Sequence, residues 1–351
     1  MPRWQDLTGQ TMNQVDRCSF STAQPLSSDV RPADCARFGR VRRGDLPISL
    51  ALTHGGTADL RLGYEIVGRE DAPVLIVAGG ISAGRHVLAS DAFPDAGWWQ
   101  AQADAFNGYR ILAIDWIGAD GALDRPIDPI DQAAGIAALL DHRGIKAVAG
   151  FIGASYGAMV GMHFAARYPG RVGGLLAISA ADRAHPFASA CRALQRQALR
   201  LGEDNGDASG GVALARALAI LTYRTPQEFA ERFAEAPEVA DGQVRVAAQS
   251  YLDAHGERHC RRMSAAAYRR LSESIDLHRI DPSSIDVPLT LVAVGEDALV
   301  PAADIEAFAA AAPAAAYRPI QSRYGHDAFL KEEAQVAAII SEFIETLETD
   351  R

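Results

Sequence analysis

Cysteine is scarce in this chain, with four in 351 residues. Cys18, Cys35, Cys191 and Cys260 are irregularly spaced. They offer neither a disulfide framework nor a zinc pattern, and read as the reduced thiols of a cytoplasmic protein. Long apolar runs are missing too: none approaches the roughly 20 residues that cross a bilayer. Met1–Gln10 carries Arg3, Gln5 and Asp6 and lacks the apolar centre of a secretory signal. No membrane association is expected. Positive charge is also short, at 34 Lys and Arg against 44 Asp and Glu, for a net charge of −10. Such a surface repels phosphate backbones, so nucleic acid is not an expected partner. There is no repeat, no low-complexity tract, no Walker P-loop and no dinucleotide fingerprint. His255 and His259-Cys260 have no second ligand cluster near them in sequence, and no metal site is expected.

What is present suits a folded enzyme-sized core. Hydrophobic residues make up 48% and charged residues 22%, enough for one large core with room for an inserted smaller one. Residues 1–45 are polar and broken by Pro25 and Pro32, and read as a poorly ordered arm. Beyond them, short apolar runs alternate with helical patterns. The strand candidates are residues 48–52, 60–67, 74–78, 109–114, 147–152, 175–179, 289–294 and 316–320. Several are apolar throughout, as strands covered on both faces are. His54-Gly55-Gly56-Thr57 marks a hairpin turn between the first two. Residues 133–142 and 158–168 read as helices. This alternation predicts a mostly parallel sheet with helices on both faces. It breaks at residue 184 and resumes near 286. Residues 46–183 and 286–351 therefore form the α/β core, and 184–285 a helical insertion with no clear strand, placed to cap a site as a lid.

The strongest chemical signal is Gly153-Ala154-Ser155-Tyr156-Gly157, between a strand-like run and an apolar helix. That is the setting of a nucleophile elbow, where a tight turn lifts the serine hydroxyl above the sheet. A serine hydroxyl needs a base to take its proton. His326, in a loop after the last strand candidate, fits. The orienting acid should follow a strand between the two, and Asp297 meets that condition, with its neighbour Glu296 as rival. Gly79-Gly80-Ile81-Ser82-Ala83-Gly84 follows an early strand. The Ile81 N–H, with that of Tyr156, is suited to an oxyanion hole. Together these predict a serine-nucleophile α/β-hydrolase fold.

From Gly79 onward the chain resembles the homoserine O-acyltransferase family of that fold. The likeness rests on Gly97-Trp98-Trp99, the elbow, Leu194-Gln195-Arg196, Ala213-Leu214-Ala215-Arg216, Leu221-Thr222-Tyr223-Arg224, Ser250-Tyr251-Leu252 and Gly325-His326-Asp327-Ala328-Phe329-Leu330. Gly79-Gly80-Ile81-Ser82-Ala83, Ala180–Pro186, Leu271–His278 and Tyr324–Asp327 place it nearest the O-succinyltransferase branch. The acetyl-transferring branch has His-Ala-Leu-Thr-Gly in that loop and Ser-Met-Gly-Gly at the elbow. An Asp-Pro-Trp stretch usual in the family is replaced by Leu201–Asn205.

The resemblance implies ping-pong transfer from succinyl-CoA to L-homoserine through an acyl-serine, in methionine biosynthesis. Succinyl-CoA serves as co-substrate and no cofactor is implied. By position, Arg196 would pair with the amino-acid carboxylate and Asp327 with its ammonium. Arg85 is the candidate for the succinyl carboxylate, which cannot be buried unpaired. A cytoplasmic homodimer joined through the insertion is also implied. Acetyl-CoA as donor, serine as acceptor, hydrolysis of small esters and a non-catalytic binding protein are the alternatives.

Overall fold

The structure is a computed structural model, and it describes residues 41–349. Eight strands form the main sheet in the order β1-β2-β4-β3-β5-β6-β9-β10. They are β1 (Val41–Leu52), β2 (Gly56–Val67), β3 (Val74–Ala78), β4 (Arg110–Ile114), β5 (Gly150–Ala154), β6 (Leu175–Ile178), β9 (Leu289–Val294) and β10 (Ala315–Ile320). β1 and β2 make an antiparallel hairpin, and β2 runs antiparallel to β4. From β4 to β10 every pairing is parallel. β3, β5 and β6 are buried along their whole length, which explains their nearly unbroken apolar sequence.

The helices of the core are α1 (Pro129–His142), α2 (Tyr156–Arg167), α8 (Ala302–Ala311), α9 (Ala328–Lys331) and α10 (Glu333–Thr349). Between β6 and β9 stand α3 (Pro186–Asp204), α4 (Ala208–Tyr223), α5 (Pro226–Arg232), α6 (Ala247–Cys260) and α7 (Ala265–Leu277). A two-stranded hairpin, β7 (Glu238–Ala240) with β8 (Gln243–Arg245), sits among them. No strand was expected there. Its sequence is short and exposed, so no burial pattern betrays it.

Several boundaries differ from the expectation: β2 begins at Gly56 rather than 60, β5 spans Gly150–Ala154 rather than 147–152, and α2 begins at Tyr156 rather than 158. Residues 41–45, assigned to the arm, belong to β1 and pair with 63–67 of β2. The remainder of the arm, residues 1–40, lies outside the described residues. β1 is an edge strand with few buried side chains, so Val41–Asp45 lacks the apolar alternation that marks a half-buried strand. Arg43 makes an ion pair with buried Glu65 instead. α1 begins at Pro129 rather than 133, because Asp128 caps it, Pro129 fills its first turn, and the Asp131 carboxylate accepts from the Asp128 N–H at 2.9 Å.

Candidate active site

β5 runs directly into Ser155, which stands at φ 54° and ψ −119° before α2 begins. The left-handed angle is rare for a residue with a Cβ and persists only where the surroundings enforce it. Both flanking glycines are required by space. A Cβ on Gly153 would lie 2.5 Å from the Gly157 carbonyl oxygen, and one on Gly157 would lie 2.2 Å from that of Ala78. The hydroxyl is thereby held above the carboxyl edge of the sheet.

His326 and Asp297 meet it there. Ser155 Oγ lies 2.7 Å from His326 Nε2, and His326 Nδ1 lies 2.7 Å from Asp297 Oδ2. The Asp297 carboxylate is held by the Leu299 and Val300 N–H groups, both on Oδ1. Glu296 is turned away and accepts from the Ser322 N–H, so the choice between the two acids falls on Asp297. His326 is buried. Burial alone would lower its pKa, but the charge and hydrogen bond of Asp297, with Asp327 adding, outweigh it and raise the pKa above 6.5. A carboxylate on Nδ1 requires that nitrogen to carry the proton, leaving Nε2 as acceptor for the serine hydroxyl.

The triad opens into a cavity with about 1120 Å³ of empty space, its mouth included. Gly80, Ile81 and Ala83 of the loop after β3 form one wall, and α3, α4 and α7 contribute Arg192, Gln195, Arg216, Tyr223 and Ser272 to the rest. Tyr156 is fully buried, and its N–H is the first of α2 after the serine.

Of the expected substrate contacts, Asp327 lines this cavity, paired with Arg224 at 3.0 Å. Two others lie away from it. Arg85 does not line it. Its Nη1 donates to Asp45 Oδ1 and the Gly44 carbonyl, and its Nε lies 3.1 Å from Asp115, so its charge is already met at the loop's outer side. Arg196 is likewise engaged, by Asp276 at 2.8 Å and Ser272 at 3.0 Å, and does not line the cavity.

Arg216, to which sequence reasoning gave no role, is one of the arginines lining the cavity. It lines the cavity 5.2 Å from the Tyr223 ring, whose centroid is 5.9 Å from that of His326. Among the described residues no carboxylate pairs with it, unlike Arg192, which holds Asp276. The signal was present: Arg216 is the sole charged residue of α4. His255 and His259 are packed in the insertion, against the rings of Tyr251 and Tyr268.

An elbow serine after the central strand, a histidine and acid from loops after later parallel strands, and an N–H-bearing loop after β3 define a serine-triad enzyme of the α/β-hydrolase fold. The sequence profile described as alpha/beta hydrolase fold matches residues 73–333. The chain is 48% identical to a homoserine O-succinyltransferase of Xanthomonas campestris pv. campestris, over 97% of this chain and 94% of that protein. It is 37% identical to a homoserine O-acetyltransferase of Thermus thermophilus, over 62% and 58%. Among solved structures, the homoserine O-acetyltransferase of Bacillus anthracis superposes with a TM-score of 0.78 at 17% identity, over 87% of this chain and 97% of that one. The chain belongs to the homoserine O-acyltransferase family of this fold.

Proposed function

We propose that this protein transfers the succinyl group of succinyl-CoA to the hydroxyl of L-homoserine through a succinyl-serine at Ser155. The observation that carries the acyl-serine chemistry is the continuous hydrogen-bonded line from Ser155 through His326 to Asp297 at the end of a lined cavity. The choice of substrates is supported by the 48% identity to a homoserine O-succinyltransferase over nearly the whole chain.

His326 Nε2 takes the Ser155 proton as Oγ attacks the thioester carbonyl. The oxyanion is held by the Ile81 and Tyr156 N–H groups. The C–S bond then breaks, and the CoA sulfur leaves with the proton from His326. In the second half, His326 takes the proton of the homoserine hydroxyl, which attacks the acyl-serine carbonyl. Ser155 leaves and regains its proton. Asp297 keeps Nδ1 protonated throughout. Arg216, which holds no carboxylate among the described residues, is assigned to the amino-acid carboxylate in place of Arg196, and Asp327 to the ammonium. The helices over the cavity keep water from the acyl-enzyme. CoA is a co-substrate, and no resident cofactor takes part.

A cytoplasmic homodimer is part of this reading. Phe187, Leu194 and Leu201 repeat every seven residues along α3, and Leu214 and Leu221 along α4, all exposed. Such stripes suit a second copy of the chain. Among the described residues no helix is long and apolar enough to cross a membrane.

The test is a donor competition with homoserine present, following CoA release and identifying the product by mass. Preferred use of succinyl-CoA with O-succinylhomoserine formed is expected. Preference for acetyl-CoA would move the enzyme to the acetyl branch, and CoA release that is indifferent to homoserine would make it a hydrolase.

A further inference from the structure

The loop bearing the Ile81 N–H is held from behind by Asp115 and Trp116, the two residues that follow β4. Trp116 donates its indole N–H to the Gly80 carbonyl at 3.0 Å, and the Ala83 N–H takes the same oxygen at 2.9 Å. Asp115 Oδ1 accepts from the Arg85 N–H at 2.8 Å, at the loop's far end. Ile117 is fixed in turn by buried Gln132, whose amide accepts from its N–H at 2.9 Å and donates to its carbonyl at 3.1 Å. Trp116 itself is buried and does not line the cavity.

The Gly80 carbonyl and the Ile81 N–H belong to one peptide unit. Every described peptide bond is trans, so these two groups point in opposite directions across a rigid plane. Two donors on the carbonyl therefore set the direction of the N–H on the other side, and Gly80, Ile81 and Ser155 line one cavity. The Trp116 ring also meets the ring of Tyr156 edge to face, with centroids 4.8 Å apart. The second oxyanion N–H is assigned to Tyr156, so one side chain contacts both the Gly80–Ile81 peptide unit and the residue given to the other half of the hole.

We propose that Trp116 is a positioning residue for the oxyanion hole, aiming the Ile81 N–H through the Gly80 carbonyl, with Asp115 and Arg85 anchoring the loop's other end. This rests on the acyl-serine reading above. It also gives Arg85 a role in place of the substrate contact it does not make. Preorganised donors act only when they need not reorient as charge develops, so a peptide free to rock loses rate without losing substrate affinity.

The experiment compares Trp116→Phe, which keeps most of the ring and removes the N–H, with the unaltered protein. Expected is a fall in kcat of roughly tenfold to a hundredfold, less than outright loss of an oxyanion donor. KM for succinyl-CoA, affinity for CoA and Tm should stay close to the parent. Affinity for a trifluoromethyl-ketone analogue of the succinyl thioester, which adds Ser155 Oγ reversibly and leaves an oxyanion in the hole, should fall by the same factor as kcat. An unchanged kcat overturns the proposal, and so does a parallel loss of Tm, CoA affinity and rate, which marks a merely structural tryptophan. If Trp116→Phe does not fold, Asp115→Ala, at a half-exposed position, is read in the same way. Ser155→Ala alongside separates the two ideas: transfer surviving in it sinks the acyl-serine reading itself. Transfer abolished in it, with Trp116→Phe at full rate, sinks only the positioning role.

Discussion

Asp297 meets His326 with one carboxylate oxygen and the backbone with the other. Oδ2 lies 2.7 Å from Nδ1, while the Leu299 and Val300 N–H groups hold Oδ1 at 2.8 and 3.1 Å. The acid is thus locked in orientation, and it locks the imidazole tautomer in turn. Asp297→Asn can present an N–H to Nδ1 and force the proton onto Nε2, where it blocks the serine. We expect kcat to fall about 10³- to 10⁴-fold with the fold intact. Glu296→Gln should stay within a few-fold of the parent, because Glu296 accepts from the Ser322 N–H and not from His326. The reverse ranking in steady-state kinetics would reassign the acid.

The charge around His326 sets a pH limb. Burial works to lower its pKa, and Asp297 and then Asp327 raise it to a net value above 6.5. The base must be neutral, so kcat/KM for succinyl-CoA should be lost as pH falls through that raised value. Asp327→Asn removes one raising charge, and the limb should move to lower pH. A limb that stays put, or moves up, would show that Asp327 does not act on the base.

Arg216 faces the cavity without a carboxylate partner among the described residues. A charged hydrogen bond to a bound carboxylate contributes about 1.5–3 kcal/mol. Arg216→Gln should therefore raise KM for homoserine by roughly tenfold to a hundredfold, equally with succinyl-CoA and acetyl-CoA as donor. A loss confined to succinyl-CoA would assign Arg216 to the donor's carboxylate instead. Arg196→Gln should be much milder on KM.

His163 of α2 and His278, just after α7, form a buried neutral pair. His278 Nε2 donates to the Ala181 carbonyl at 2.8 Å, so its Nδ1 accepts from His163 Nε2 at 3.1 Å. Burial first, then neighbouring positive charge, pushes His163 down to about 3, while burial takes His278 to about 4. Both lie below the unfolded value of 6.5, so this stability is complete above pH 6.5 and falls as the unfolded state takes up protons below it. Each histidine costs up to about 1.4 kcal/mol per pH unit in that window. Denaturant unfolding at pH 7 and pH 5 should show the gap between the parent and a His163→Asn/His278→Gln variant narrowing at pH 5. Parallel losses in the two proteins would contradict the pairing.

The exposed seven-residue stripes of α3 and α4 give the dimer its test. Leu194→Glu with Leu214→Glu should convert a dimer to monomer in light scattering, since charge on an apolar seam is costly to bury. A parent protein that is already monomeric would remove the homodimer from the reading.

Sequence alone determined the alternating core, the elbow, the chain order of serine, acid and histidine at Ser155, 296–297 and His326, and the glycine-rich loop after β3. Each is a local pattern whose cause is local: burial on both faces makes a strand apolar, and a tight strand-to-helix turn needs Gly153 and Gly157. It could not rank arginines. Arg196 and Arg85 sit in suggestive places along the chain, yet Asp276, Asp45 and Asp115, each distant in sequence, have already taken their charge. Arg216 faces the cavity, and among the described residues no acidic side chain is folded against it. The hidden part of β1 and the hold of Trp116 on Gly80 are of the same kind. Whether a charge is free or a peptide is aimed depends on which distant groups the sheet brings alongside, and only the tertiary structure decides that.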